Sequence, residues 1–124
     1  MGSEGVIPVG WPADLPPAFA EEFAHRVVGW LLDRGPAGLR GRRVWRQEPA
    51  ALALVTKTHC EQELAGLRTS YASARRELDD QLSPEAVDLV LVALEAAGAE
   101  AAETLRQVSL VAEALAGKRW RARL

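Results

Sequence analysis

The sequence predicts an all-α protein: a short N-terminal helix, then a long antiparallel helical hairpin of coiled-coil-like character, forming a helical bundle as a homodimer. Three observations predict it. Apolar residues recur at alternating spacings of three and four along two long stretches, which is the signature of a helix with one buried face. A break at Leu82-Ser83-Pro84-Glu85 separates the stretches. The run just after it, Val87 to Leu94, is apolar on nearly every side apart from Asp88, and a helix of that kind is covered on more than one face.

The chain has 124 residues and a formal net charge of −2, the size of one domain with a modest core. Residues 1–16 carry Pro8, Pro12 and Pro16 among glycines and apolar side chains. Proline fixes φ and removes donors, so this segment reads as an extended apolar arm. It has neither the basic stretch nor the apolar core of a secretory signal. The single helical domain follows over residues 17–124. Its first helix is expected at 17–34, opening on Pro17 with Glu21 and Glu22 near the positive end of the dipole and closing at Gly35-Pro36. Phe19, Phe23, Val27, Trp30 and Leu31 form its buried stripe. Gly35 to Glu48, with three glycines and four arginines, reads as a loop.

The long helices are expected at 49–81 and 84–116. Ser83 serves as N-cap and Pro84 as the first helical residue of the later one, with Gly117 as its stop. The first seam runs Ala50, Ala53, Lys57, Cys60, Leu64, Leu67, Tyr71, Ala74, Leu78. The second runs Val87, Leu91, Leu94, Gly98, Ala101, Leu105, Val108, Ala112, Leu115. Folding at Leu82-Ser83 sets Leu78 against Val87, Tyr71 against Leu94, Leu67 against Gly98 and Cys60 against Leu105, in a register centred on the turn. Large residues meet small ones across it, as interdigitated layers require. Each arm is ~48 Å long at 1.5 Å per residue.

A hairpin returns its end to its beginning. Arg40, Arg42, Arg43, Trp45 and Arg46 before the second helix therefore gather at one pole with Lys118, Arg119, Trp120, Arg121 and Arg123 of the tail, residues 117–124. Such a pole suits an acidic protein, because Arg and Trp anchor many interfaces, or phosphates with an unpaired base stacked on an indole. It equally suits a purely structural task, with cations complementing a helix C-terminus and the indoles closing the open end of the core. The opposite end carries Leu89, Val90, Val92, Ala93, Ala96 and Ala97, the expected dimer interface; the rival is that the first helix or the N-terminal arm folds over this patch within the chain.

No phosphate-binding glycine loop, nucleophile motif or metal motif is present. His59 with Glu63 makes half a metal site at most, Cys60 sits in the seam as a small hydrophobe, and no cofactor is expected. One cysteine permits no internal disulfide and fits a reducing cytoplasm, the arginine-over-lysine bias suggests a bacterial source, and no run is apolar enough for a membrane. The functional expectation is a non-catalytic interaction or scaffold protein. The alternatives are a small nucleic-acid-associated regulator using the Arg/Trp pole, or a helical bundle binding a small ligand near Gly98.

Overall fold

A computed structural model describes residues 5–122. The chain forms four α-helices: α1 (Phe23–Leu32), α2 (Arg43–Gln47), α3 (Pro49–Leu78) and α4 (Pro84–Leu115). The fold is all-α, and no strand occurs among the described residues, where β pairing is limited to one bridge between Val6 and Trp120. The two long helices pack on each other and α1 packs on α3. Among the described residues no helix is long and apolar enough to cross a membrane.

The turn between the long helices is built as its sequence implies. The Ser83 hydroxyl accepts a hydrogen bond from the Ala86 amide at 3.1 Å, satisfying an amide that the helix itself leaves orphaned. Arg75 pairs with Asp88 at 3.0 Å, so this arginine ties α3 to α4 across the turn instead of pairing with Asp79 one turn along its own helix. At its far end α4 stops at Gly117, whose φ of +102° is open to glycine at little cost. The Lys118 amide donates to the Glu113 carbonyl and the Gly117 amide to that of Ala114, both at 3.0 Å, a Schellman closure.

Helix α1 is shorter than the sequence implies. It starts at Phe23, not at Pro17. Residues 17–22 instead make tight turns, with the Ala20 amide donating to the Pro17 carbonyl and the Phe23 amide to that of Ala20. Phe19, expected on the buried stripe, is exposed. Residues 43–47 are helical where a loop was expected, a single turn that brings Trp45 against the core. The arm, read as extended, also folds: the Trp11 and Leu15 amides donate to the Pro8 and Pro12 carbonyls.

The core lies where three helices meet. Phe23, Val27, Trp30 and Leu31 of α1 pack with Leu52, Ala53 and Cys60 of α3 and Val108, Val111 and Ala114 of α4. Here the buried stripe departs from the expected seam. Ala50 is exposed while Leu52 and Thr56 are fully buried, and on α4 Val111 and Ala114 are buried more deeply than Ala112 and Leu115. A third helix lying in the groove widens the buried face and draws it toward itself. Beyond α1 the seam returns, with Leu64, Ala74, Val87 and Ala101 buried. Tyr71 there stays 44% exposed, because only two helices are present to cover it.

Two glycines show the contrast in packing. A Cβ on Gly35 would lie 2.9 Å from the Thr56 Oγ1, so the end of α1 sits against α3 only because that side chain is absent. A Cβ on Gly98 would meet nothing within 4 Å, so Gly98 does not mediate a close helix contact within the chain. Gly35→Ala should therefore cost about 1–3 kcal/mol through overpacking. Gly98→Ala should add about 0.5–1 kcal/mol by restricting the unfolded backbone. Urea denaturation of the two variants checks both signs.

Candidate functional site

The basic pole is assembled first by backbone and only then by charge. After the Schellman closure the tail turns back along the arm, and the Val6 amide donates to the Trp120 carbonyl at 2.7 Å. The Trp120 ring lies 6.0 Å from that of Trp11 in an edge-on arrangement, and Trp11 lies 5.9 Å from Phe23. Such pairs contribute about 0.5–1.5 kcal/mol beyond their area. Trp11 is held in turn by its Nε1, which donates to the Leu15 carbonyl at 3.0 Å. Trp120 is thus a joint between arm, tail and core. Trp45 packs on the same core, and its indole Nε1 is buried without a partner among the described residues.

The cations divide into two sets. Arg119 donates to the Ala114 and Lys118 carbonyls at 3.0 and 2.7 Å, closing the negative end of α4. Lys118 pairs with Glu113 at 3.4 Å and lies 5.3 Å from the Trp120 ring. Arg40 pairs with Asp33. Arg121 is exposed, and Arg123 lies outside the described residues. Arg42, Arg43 and Arg46, on and just before α2, are exposed and make no ion pair among the described residues.

Beside the pole is a knot that the sequence does not reveal. Asp14, in the arm, accepts from the Trp30 Nε1 at 2.8 Å and from Arg34 at 3.0 Å. Its own carbonyl accepts from Arg26 at 3.0 Å. The Arg34 guanidinium lies 3.8 Å over the Trp30 ring and donates to the Trp30 carbonyl at 2.9 Å. The Trp30 hydrogen bond and the Arg34 charge, against some desolvation, hold the Asp14 carboxyl below its ordinary value. The i, i+4 spacing of Trp30 and Arg34 is visible in sequence. Nothing local links them to residue 14.

At the other end, α4 presents an uncovered apolar face. Leu89 is 72% and Val92 66% exposed. Ala93 and Ala96 are also exposed, and Val90 and Ala97 are half-buried. Val90, Ala93 and Ala96 precede Val108, Val111 and Ala114 by eighteen residues, about five turns at 3.6 residues per turn. They stand on the same side of α4 as the three residues buried in the three-helix core. One face therefore runs the length of α4. Its pole half is covered, and its turn half is bare.

Two surface grooves follow the seam. One of about 460 Å³ is lined by Leu67, Arg68, Tyr71, Leu94, Glu95 and Gly98. It brings together the expected partners Leu67 with Gly98 and Tyr71 with Leu94, while the seam residue Ala101 is buried outside it. The other, about 780 Å³, lies between Val9 and Gly10 of the arm and Leu64, Leu105 and Leu110 of the hairpin. His59 Nε2 lies 3.3 Å from Glu63 Oε1. No group of three or more potential metal ligands occurs among the described residues. Cys60 is buried, its thiol placed to donate to the Arg34 carbonyl at 3.8 Å, and burial pushes the thiol pKa up, the reverse of what a nucleophile needs. No protein-family model, curated protein or solved structure matches the chain.

The knot predicts an acid transition. A carboxylate whose folded pKa is depressed contributes stability that is complete above its unfolded value and is lost as pH falls through the folded one. Tryptophan fluorescence should report loosening of the arm only below about pH 4. Asp14→Asn, which keeps an acceptor for Trp30 but loses the charge facing Arg34, should remove most of that pH dependence.

Proposed function

We propose that this chain is a non-catalytic helical interaction protein, a cytoplasmic bacterial scaffold that docks through the bare half of the α4 face. One observation carries the reading: the side of α4 that lies in the core with α1 at the pole continues, still apolar, through half-buried Val90 and exposed Ala93 and Ala96. Leu89 and Val92 flank that line and are mostly exposed. Contiguous exposed apolar surface of this kind marks a contact. The homodimer expected from the sequence is the simplest assembly that covers it, by a coiled-coil-like contact between two copies of α4.

A photo-crosslinking amino acid placed at Leu89 should give one dominant adduct in cells. The same residue placed at Leu54, an exposed leucine on the pole half of α3, should give far less. Absence of an adduct at Leu89 overturns the docking reading.

A second reading, a nucleic-acid-associated regulator, is favoured by Arg42, Arg43 and Arg46 alone, which are exposed without ion pairs among the described residues. The engagement of Lys118 and Arg119 and the packing of both indoles on the core weigh against base stacking. If this reading holds, fluorescence anisotropy with duplex DNA will show salt-sensitive binding. Replacing Arg42, Arg43 and Arg46 by alanine would abolish it, whereas Arg119→Ala would not.

A further inference from the structure

We infer that the groove between the arm and the hairpin binds a single-chain amphiphile with an anionic head, an aliphatic carboxylate. The site does not depend on the docking reading, because it lies on another side of α4. Ala102, Leu105 and Ser109 line this groove, and Leu94 and Gly98 line the smaller one. At 3.6 residues per turn they share one side of the helix, about 140° round from Val90, Ala93 and Ala96. No residue of α1 lines either groove, and the two meet at Arg68, which lines both.

Shape selects a slim ligand. The floor is aliphatic, with Leu64 buried and Leu105 and Leu110 half-buried. Val9 and Gly10 of the arm form the wall, and a Cβ on Gly10 would stand 3.5 Å from the Leu110 Cδ1. Val9 is fully exposed, so a chain lying beside it takes apolar surface out of water. A partner helix, about 10 Å across, would have to displace the arm. A groove of about 780 Å³ instead has the size of a small-molecule site.

Charge selects the head. Arg68, Arg106, Glu103 and Glu113 stand on the rim. Arg106 is paired with Glu103 at 3.2 Å and Glu113 with Lys118 at 3.4 Å. Arg68 is exposed and makes no hydrogen bond or ion pair among the described residues. What remains is one uncompensated cation beside an aliphatic floor. Its planar fork meets a carboxylate with two parallel hydrogen bonds. Glu95 lines the smaller groove next to Arg68 and repels an anion there. The larger groove has no unpaired carboxylate, so the head sits at Arg68 and the chain runs under the arm over Leu64, Leu105 and Leu110.

Calorimetry and heteronuclear NMR with dodecanoate, kept below its micellar concentration, test the site. Dodecanoate should bind one to one and shift the amides of Gly10, Leu64, Ala102 and Leu105. Dodecyltrimethylammonium, the same chain under the opposite charge, should not. Arg68→Ala should weaken dodecanoate about three- to tenfold. Ala102→Glu, which sets a carboxylate on the floor, should abolish binding with the helical circular dichroism unchanged. Shifts gathered at Leu89 and Val92 would mean that the amphiphile coats the bare α4 face, overturning the site and leaving the docking reading in place. Equal binding of the cationic amphiphile, or undiminished binding by Arg68→Ala, overturns the anionic head. No binding at millimolar dodecanoate overturns the inference outright.

Discussion

A mismatch of length governs this molecule. Helix α1, ten residues long, spans ~15 Å, and α4, of thirty-two residues, spans ~48 Å. A two-helix hairpin leaves each helix with one side bare, and a third helix covers only what it can reach. Where α1 lies, the core has three walls and its central residues are fully buried: Leu31, Leu52, Thr56, Val108 and Val111. Where α1 is absent, the layers thin, Tyr71 and Leu94 line an open groove, and apolar side chains reach the surface. The bare face is the direct geometrical consequence of a short third helix on a sequence that stays apolar past its end.

The same mismatch explains the effort spent at the pole. Three chain segments converge there, and none of them is regular: the arm, the loop into α2 and the tail. Irregular backbone near a core needs partners for its polar groups and apolar cover for the open layer. Trp11 and Trp120 supply the cover. The Schellman closure and Arg119 serve the last carbonyls of α4, and Asp14 fastens the arm to α1 through Trp30 and Arg34. A tail of alternating cations and indole, which resembles a binding motif, is in large part the end of a fold. Lysine and arginine at the foot of a helix are favourable against its dipole without any ligand. At the pole, Arg42, Arg43 and Arg46 make no ion pair among the described residues.

The hairpin was legible in the sequence because its information is periodic and local. Heptad spacing gives the face, Ser83-Pro84 gives the start of α4, Gly117 gives its end, and the register then follows from the turn. What could not be read depends on contacts without a period. The start of α1 at Phe23 is decided by the turns after Pro17, in a segment whose apolar spacing continues a helical pattern it does not adopt. The burial of Leu52 and Thr56 in place of Ala50 is decided by a third helix arriving from outside the heptad. Asp14 lies sixteen residues from Trp30, and no rule of spacing connects an aspartate in a proline-rich arm to an indole on a helix. The two candidate surfaces differed likewise. The α4 face was visible as excess apolarity, whereas the sorting of the pole cations into engaged and unengaged sets needed coordinates.

The two ends of the molecule are thereby assigned different work. The pole is where the chain spends its aromatic and charged side chains on holding itself together. The turn end is where it holds back: two helices, small residues, a cross-turn ion pair between Arg75 and Asp88, and exposed apolar side chains such as Leu89 and Val92. A domain of this size has only a modest core, so a hairpin that projects roughly 30 Å beyond its third helix is costly unless something rests on it. In the proposed dimer each bare half completes the other, the projecting arms become a four-helix segment, and the positions that looked like packing defects in one chain become the layers of two. The short α1 then has a physical rationale: a longer one would cover the α4 face within the chain and leave no room for a second copy.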